Sequence, residues 1–514
     1  MASVLDFLVL LRRMNVMVWV DGELLFYRAP SALTPTELQC LEEWKPEIIA
    51  LLSKSPPRAE ARLELKPRDV GAEVPLTFQQ QWLWHVLLPL YPPERFNISS
   101  ALRLVGRLDI SALQSSVQAL ASHHESLRTT IIESNGMVLQ KIASEFGVPI
   151  TMLRVRGRVS EEREREARRL IHEFVVEPSN YFSGPLFKVR LLRLSEYDHV
   201  LVILLDHMIS DGISLGVLLG HLRVAYSLAV RRKKLALADS SLQYADYAVW
   251  QKTTEQYWAQ MHSAYWDMKL NGAVPICFSR DIDTNVTFPK SAEAQTFLEK
   301  DLCAELRKLA SMEGTTLPMV LLSAFVVLVS RWCCQHDVVV PFNSMGRHHS
   351  AVADAIGYFA HIIHLRIKVS EEDTYLDILD RAKTEYRTAC EHDDFGRIVR
   401  TKPQFVKSAW FQCEPMFDEV SNVSGFLENI QTESFQKDQS VSSYVNDGFS
   451  VDIEFLFIEL LGGVFVRIGY RSDRFKQNTI DKMGQFLRSI CRDFAIHPTT
   501  KPAELLDRRV GEMS

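Results

Sequence analysis

Leu205-Asp206-His207-Met208-Ile209-Ser210-Asp211-Gly212 closes the apolar run Val200-Leu201-Val202-Ile203-Leu204. Such a run, rich in branched residues and bounded by a glycine, predicts a buried strand. Beyond Gly212 the apolar positions Ile213, Leu215, Val217, Leu218 and Leu222 fall at helical spacing. The octet is therefore a strand-to-helix turn. An imidazole at such a turn can be held rigidly over a cavity, and its proton affinity near neutral pH suits proton transfer. Asp211 four residues on, followed by Gly212, would let the turn fold back. H-x-x-x-D-G is also met by chance, and the competing reading is a hydrogen-bonded histidine at a strand end.

Six further segments stand in order around the octet. They are Pro75-Leu76-Thr77-Phe78-Gln79-Gln80-Gln81-Trp82-Leu83-Trp84, His123-His124-Glu125-Ser126-Leu127-Arg128-Thr129, Gly346-Arg347, Ile356-Gly357-Tyr358-Phe359, His392-Asp393-Asp394-Phe395-Gly396 and Tyr470-Arg471-Ser472-Asp473-Arg474-Phe475. With the octet they resemble the motif series of condensation domains of nonribosomal peptide synthesis, from about residue 75 to 500. The fifth of them is a weakened form of the family's H-Q-D-x-P-F-E.

The resemblance implies an α/β (α+β) fold of two lobes, each like a chloramphenicol acetyltransferase subunit, in a V-shaped pseudo-dimer. It places the N-lobe at about 75–260 and the C-lobe at about 261–505, with the crossing within Thr253 to Trp266 and a tail at 506–514. It implies a tunnel between the lobes, entered by a carrier-protein thioester on one side and an amine or hydroxyl acceptor on the other. His207 would be the catalytic residue, orienting the acceptor and taking its proton, or stabilising the tetrahedral intermediate. Asp211 would be structural and pair with Arg347, and Gly212 would allow the tight turn. No metal and no bound cofactor are implied, because the phosphopantetheine arm of the carrier presents an activated acyl group.

Asp206 departs from the family, which usually has histidine there. Asp206, Asp211 and Ser214 also fit D-x-x-x-x-D-x-x-S of the related heterocyclisation domains, although those usually lack a residue like His207. Three readings follow: an amide- or ester-forming acyltransferase, a heterocyclisation domain, and a carrier-binding scaffold without catalysis. After Tyr470-Phe475 the sequence runs only to Ser514. As a full gene product it would be a free-standing, chain-releasing enzyme of the enacyloxin type; as an excised piece it would be an internal amide-forming domain.

Residues 1–54 read as a unit of their own, of order α-β-β-α-α. Val4 to Arg13 suits an amphipathic helix. Val16 to Val20 and Leu24 to Tyr27 flank Asp21-Gly22, a hairpin signal. Thr34-Pro35-Thr36-Glu37 opens a helix, and a last helix runs from Pro46 to Ser53. A linker at 55–74 begins with Ser55-Pro56-Pro57. The unit resembles β-hairpin docking domains of assembly lines. That implies strand-addition capture of the C-terminal tail of a donor carrier protein, with Trp19, Phe26 and Tyr27 as anchors. The alternative is that these aromatics only form the module's own core.

Composition agrees with an ordinary globular chain: 514 residues, 47% hydrophobic, net charge −6. The negative charge, with no long basic stripe, argues against nucleic acid. Arg231-Arg232-Lys233-Lys234 reads as a solvated loop, and the mixed charges of Glu161 to Arg169 as an exposed helix face. Eight cysteines without C-x-x-C or zinc spacing read as reduced thiols of a cytoplasmic protein. Signal peptide and membrane span are not expected, and a monomer is.

Overall fold

The computed structural model describes residues 17–21, 24–28, 35–53, 65–89, 92–234, 242–283, 290–347, 349–392, 404–405, 409–414, 427–428, 430–435, 451–460 and 462–504. Of the front unit, β1 (Met17–Asp21) and β2 (Leu24–Arg28) form a two-stranded antiparallel sheet, followed by α1 (Pro35–Glu43) and α2 (Lys45–Ser53). The register pairs Trp19 with Phe26 and Val18 with Tyr27, and it brings Asp21 into the ladder opposite Leu24. The Val4–Arg13 helix and the side chains of the three proposed anchors lie outside the described residues.

The first lobe contains β3 (Val74–Pro75), α3 (Phe78–Trp82), β4 (Asn97–Val105), α4 (Ile110–His123), β5 (Thr129–Ser134), β6 (Met137–Ile142), β7 (Thr151–Arg154), α5 (Ser160–Val175), β8 (Phe187–Arg193), β9 (Asp198–Asp206) and α6 (Gly212–Val230). The apolar run after His199 is the interior strand β9, paired antiparallel to β4 and β8. Nothing on either of its faces is solvated, which is why the run shows no polar alternation. By length and composition alone, α6 is long and apolar enough to cross a membrane. A third of it is buried, with Leu218, Leu222 and Tyr226 in the core of the first lobe.

α7 (Tyr244–Lys269) joins the two halves: Tyr244 and Tyr247 lie in the core of the first lobe, Trp266 in that of the second. The chain then runs through β10 (Ser291–Glu299), α8 (Lys300–Met312), α9 (Leu317–Trp332), β11 (Asp337–Ser344), β12 (His361–Lys368), α10 (Tyr375–Glu391), β13 (Ala409–Glu414), β14 (Gln431–Ser434), β15 (Ile453–Leu460), β16 (Gly463–Arg471) and α11 (Gln477–Ile496), all but β14 in the second lobe. Its sheet has the order β10-β16-β15-β13. α9 is apolar all round because it is buried on all sides between α11, α10 and the strands.

The lobes are not contiguous in sequence. β14 adds to β4, giving the first sheet the order β14-β4-β9-β8-β7. Val352, Ile356 and Phe359, from the loop between β11 and β12, are buried in the first core. The first lobe also begins ahead of its opening motif. Leu65 is in its core, and Arg68 bridges Glu125 at 2.9 Å and Asp246 at 2.8 Å. A polar composition conceals that anchoring from a reading of the linker.

Candidate active site at the junction of the lobes

Asp206 is the last residue of β9, opposite Asn97 of β4, and Asp211 is the N-cap of α6. The turn between them is held from outside. His207 N–H donates to the Phe96 carbonyl at 2.8 Å, and Gln80 Nε2 donates to the Met208 carbonyl at 2.9 Å. Gln80 is itself fixed by a capping box with Thr77, which starts α3. The opening motif thus acts as a brace for the turn.

Asp211 accepts five hydrogen bonds. Ser214 N, Ser214 Oγ and Arg347 Nη2 reach Oδ1 at 2.8, 2.7 and 3.0 Å; Phe359 N and Ala360 N reach Oδ2 at 3.1 and 3.2 Å. A carboxylate is an acceptor only, so donors on both oxygens suit the charged form. Arg347 gives its other nitrogen to the carbonyls of Val352, Ala353 and Ala355 and lies over the Phe359 ring at 4.3 Å. Ser214 Oγ also lies 2.8 Å from the Gly357 carbonyl, so its single proton serves Asp211 or Gly357 at any moment. Asp211 therefore joins the strand-to-helix turn of one lobe to the loop between β11 and β12.

Two glycines permit that loop. A Cβ on Gly357 would stand 2.1 Å from the Tyr244 ring. Gly346 has φ +64°, and a Cβ there would meet the Phe359 carbonyl oxygen at 2.0 Å. The Tyr244 hydroxyl lies 2.7 Å from Thr77 Oγ1 and donates to the Tyr358 carbonyl at 2.7 Å. Ser126 Oγ donates to the Ile356 carbonyl at 2.5 Å, bringing in the segment that starts at His123.

His207 Nδ1 lies 2.7 Å from the Ser210 carbonyl oxygen. A carbonyl can only accept, so Nδ1 carries the proton and Nε2 keeps its lone pair. Burial lowers the His207 pKa from its ordinary value, which favours this neutral form; the Ser210 carbonyl and the Asp211 charge oppose the shift in part. The ring sits 4.1 Å, centroid to centroid, from that of Tyr358. Sequence reasoning missed Tyr358 as a wall of the site and Gln80 as its brace, since neither residue type is distinctive alone.

Asp206 faces different neighbours. Its Oδ1 accepts from Met208 N at 2.8 Å, while Oδ2 has no hydrogen-bond partner among the described residues. Burial pushes its pKa up to about 7; the Met208 N–H, the Ser179 and Tyr181 hydroxyls and Lys188 oppose the shift without overcoming it. Of the remaining segments, Arg471 pairs with Asp473 within the second lobe, and the His392 ring stacks on Tyr265 at 3.8 Å. Asp393 to Gly396 lie outside the described residues.

The two-lobed fold and the His207 turn define the class: an α/β protein with its site at the junction of the lobes. The chain belongs to the condensation-domain family. A family model described as "Condensation domain" matches residues 70–508, and one described as "TubC N-terminal docking domain" matches residues 4–54. One of the linear gramicidin synthase proteins of Brevibacillus parabrevis is 33% identical over 439 residues, covering 83% of this chain. Surfactin synthase subunit 2 of Bacillus subtilis is 28% identical over 455 residues, covering 86%. The chain spans only 8% and 12% of these relatives' lengths. Two solved structures match nearly end to end. The condensation domain for chain release from the enacyloxin polyketide synthase has a TM-score of 0.67 at 18% identity, covering 97% of this chain and 98% of that one. The EpoB cyclization–docking bidomain of Sorangium cellulosum has a TM-score of 0.64 at 19% identity, covering 97% and 99%. At such identities the likeness concerns the fold.

Proposed function

We propose that this chain condenses an acyl group, presented as a thioester on a carrier protein's phosphopantetheine arm, with an amine or hydroxyl acceptor. The observation that carries this reading is His207, whose Nδ1 is occupied by the Ser210 carbonyl and whose Nε2 is left as a base. As the acceptor nitrogen or oxygen attacks the thioester carbonyl, Nε2 takes its proton. The tetrahedral intermediate then expels the arm's sulfur, and the same proton passes to it as the thiol leaves. Asp211 and Arg347 set the ring's position and touch no reacting atom.

Heterocyclisation through Asp206 and Asp211 has less support. Both carboxylates are buried, and Asp211 is saturated by its five donors. A scaffold role would leave the arrangement at His207 without a use. We further propose that the hairpin of the front unit receives the C-terminal tail of a donor protein, and that the enzyme releases its chain to a small acceptor. The docking match and the end-to-end likeness to the enacyloxin domain support that reading. All eight cysteines are free thiols, in keeping with a cytoplasmic protein. The test is turnover of an acyl-loaded carrier with added amines and alcohols, read by intact mass. An amide or ester is expected. A product lighter by one further water would assign heterocyclisation, and no product with any acceptor would leave the scaffold.

A further inference from the structure

Three imidazoles converge where α4 packs on α6, away from the His207 ring. His123 is the last residue of α4, and His124, with φ −101° and ψ 111°, leaves the helix in an extended conformation. This change of direction lets two adjacent side chains turn toward the same point, which they would not do inside a helix, where neighbours diverge by about 100°. His221, on α6, supplies the third. His124 Nε2 and His221 Nδ1 are 2.9 Å apart, and one nitrogen from each of the three rings lies within 4.8 Å of the other two. The rings of His124 and His221 are stacked at 5.0 Å, while His123 stands edge-on to both at 4.7 and 5.9 Å.

A hydrogen bond between two neutral imidazoles accounts for the 2.9 Å contact, and the third ring closes a cluster of three nitrogen donors around one point. A tetrahedral Zn²⁺ with nitrogen ligands at about 2.0–2.1 Å would hold them roughly 3.4 Å apart. The observed separations, from 2.9 Å to within 4.8 Å, bracket that spacing. His124 is buried, and His123 and His221 are half-buried, so an ion can enter from the His123–His221 side. The Gln243 side chain holds the His123 backbone through its carbonyl at 3.2 Å.

We propose that His123, His124 and His221 form a site for one divalent transition-metal ion of the Zn²⁺ class, which fastens α6 to the end of α4. Imidazole donors without thiolates or clustered carboxylates suit Zn²⁺, Co²⁺, Ni²⁺ or Cu²⁺ and disfavour Mg²⁺ and Ca²⁺. Three protein ligands leave a fourth position for water. Because α6 is the helix that Asp211 caps, the ion would stiffen the support of the active-site turn. The site is independent of the chemistry at His207.

The test uses full-length protein stripped with a chelator and titrated with Zn²⁺ or Co²⁺ alone. We expect one ion per chain in competition with a chromogenic chelator, a rise in Tm on addition of Zn²⁺, and the visible absorption of four-coordinate Co²⁺. His123→Gln and His221→Gln should each weaken that binding by at least the roughly 10–100-fold seen when only an outer partner of a ligand is lost. His262→Gln, in the two-histidine contact with His392 at 3.2 Å, should leave it unchanged. Should a variant not fold, wild type decides the matter: Zn²⁺ should shield the peptides bearing His123, His124 and His221 from diethylpyrocarbonate, and not the one bearing His336. No stoichiometric uptake, or uptake of equal affinity in a folded His123→Gln/His221→Gln double variant, overturns the proposal.

Discussion

Arg347 Nη2 stands 3.0 Å from Asp211 Oδ1, and the two side chains are 7% and 2% exposed. The pair crosses from the loop after β11 to the N-cap of α6, so it ties together two segments 136 residues apart in sequence. Removing one partner leaves the other charge in a buried place, at a cost of about 3–5 kcal/mol. Asp211→Ala and Arg347→Ala should each lower stability by that order in denaturant melts. The double variant should lose less than the sum of the two, because each single change already strands its partner. Unchanged midpoints in both single variants would show that the pair contributes nothing.

His207→Ala should leave the melting curve near that of wild type and reduce condensation by about 10²–10⁴-fold. The base form is the neutral one, and burial lowers the ring's pKa. Activity should therefore persist as pH falls past the ordinary histidine value of about 6.5 and disappear only below the lowered one. A rate profile with its acid limb above pH ~6.5 would contradict the assignment of His207 as the base.

Asp206 gives a prediction of opposite sign. Its folded pKa of about 7 lies above the ordinary 3.8, so the protonated acid is the form the fold prefers. Wild type then loses stability from this group as pH rises from about 4 to 7, and the loss is complete above that range. Asp206→Asn is neutral throughout. Its Tm relative to wild type should be more favourable at pH 8 than at pH 5, and most condensation activity should remain, since the Met208 N–H still finds an acceptor. Loss of nearly all activity, with a dehydrated product in wild type, would revive heterocyclisation.

Gly357→Ala should destabilise through a clash rather than through lost backbone freedom. The new methyl would lie 2.1 Å from the Tyr244 ring, which is hydrogen-bonded at its far end and cannot swing away. Overpacking of this kind costs about 1–3 kcal/mol. Gly71→Ala, at positive φ but with open space around the new methyl, isolates the backbone cost.

Much of this arrangement was legible in the chain, for physical reasons. The β9–α6 turn shows itself because its period changes from a buried run to helical spacing within a few residues. Arg347 and Gly346 came through the family resemblance, since nothing local couples them to Asp211. What stayed hidden is long-range and polar. Gln80 is one glutamine among three in a row, and only the fold reveals that its amide reaches Met208. The return of Val352, Ile356, Phe359 and β14 to the first lobe is likewise invisible, because an apolar residue does not specify which core it enters. The cluster of His123, His124 and His221 shows no local pattern, because His221 lies 97 residues from His124.

The front unit offers the last prediction. Among the described residues β1 and β2 pair only with each other, and the edge of such a sheet can accept a further strand. An extended tail from a donor protein can add there through main-chain hydrogen bonds. Deleting residues 1–54 removes the hairpin but keeps Leu65 in the first core and Arg68 on Glu125 and Asp246, so the condensation lobes should melt as before. Transfer from a donor on a separate carrier protein should fall sharply, because tethering raises the local donor concentration into the mM range without touching the active site. A small thioester mimic, which needs no tether, should be used equally well by both forms. Charged substitutions at Trp19 or Tyr27 should reproduce the deletion for the carrier-borne donor alone. Equal carrier-dependent rates for the truncated and full-length proteins would separate residues 1–54 from donor delivery and leave the aromatics as the core of a module with another purpose.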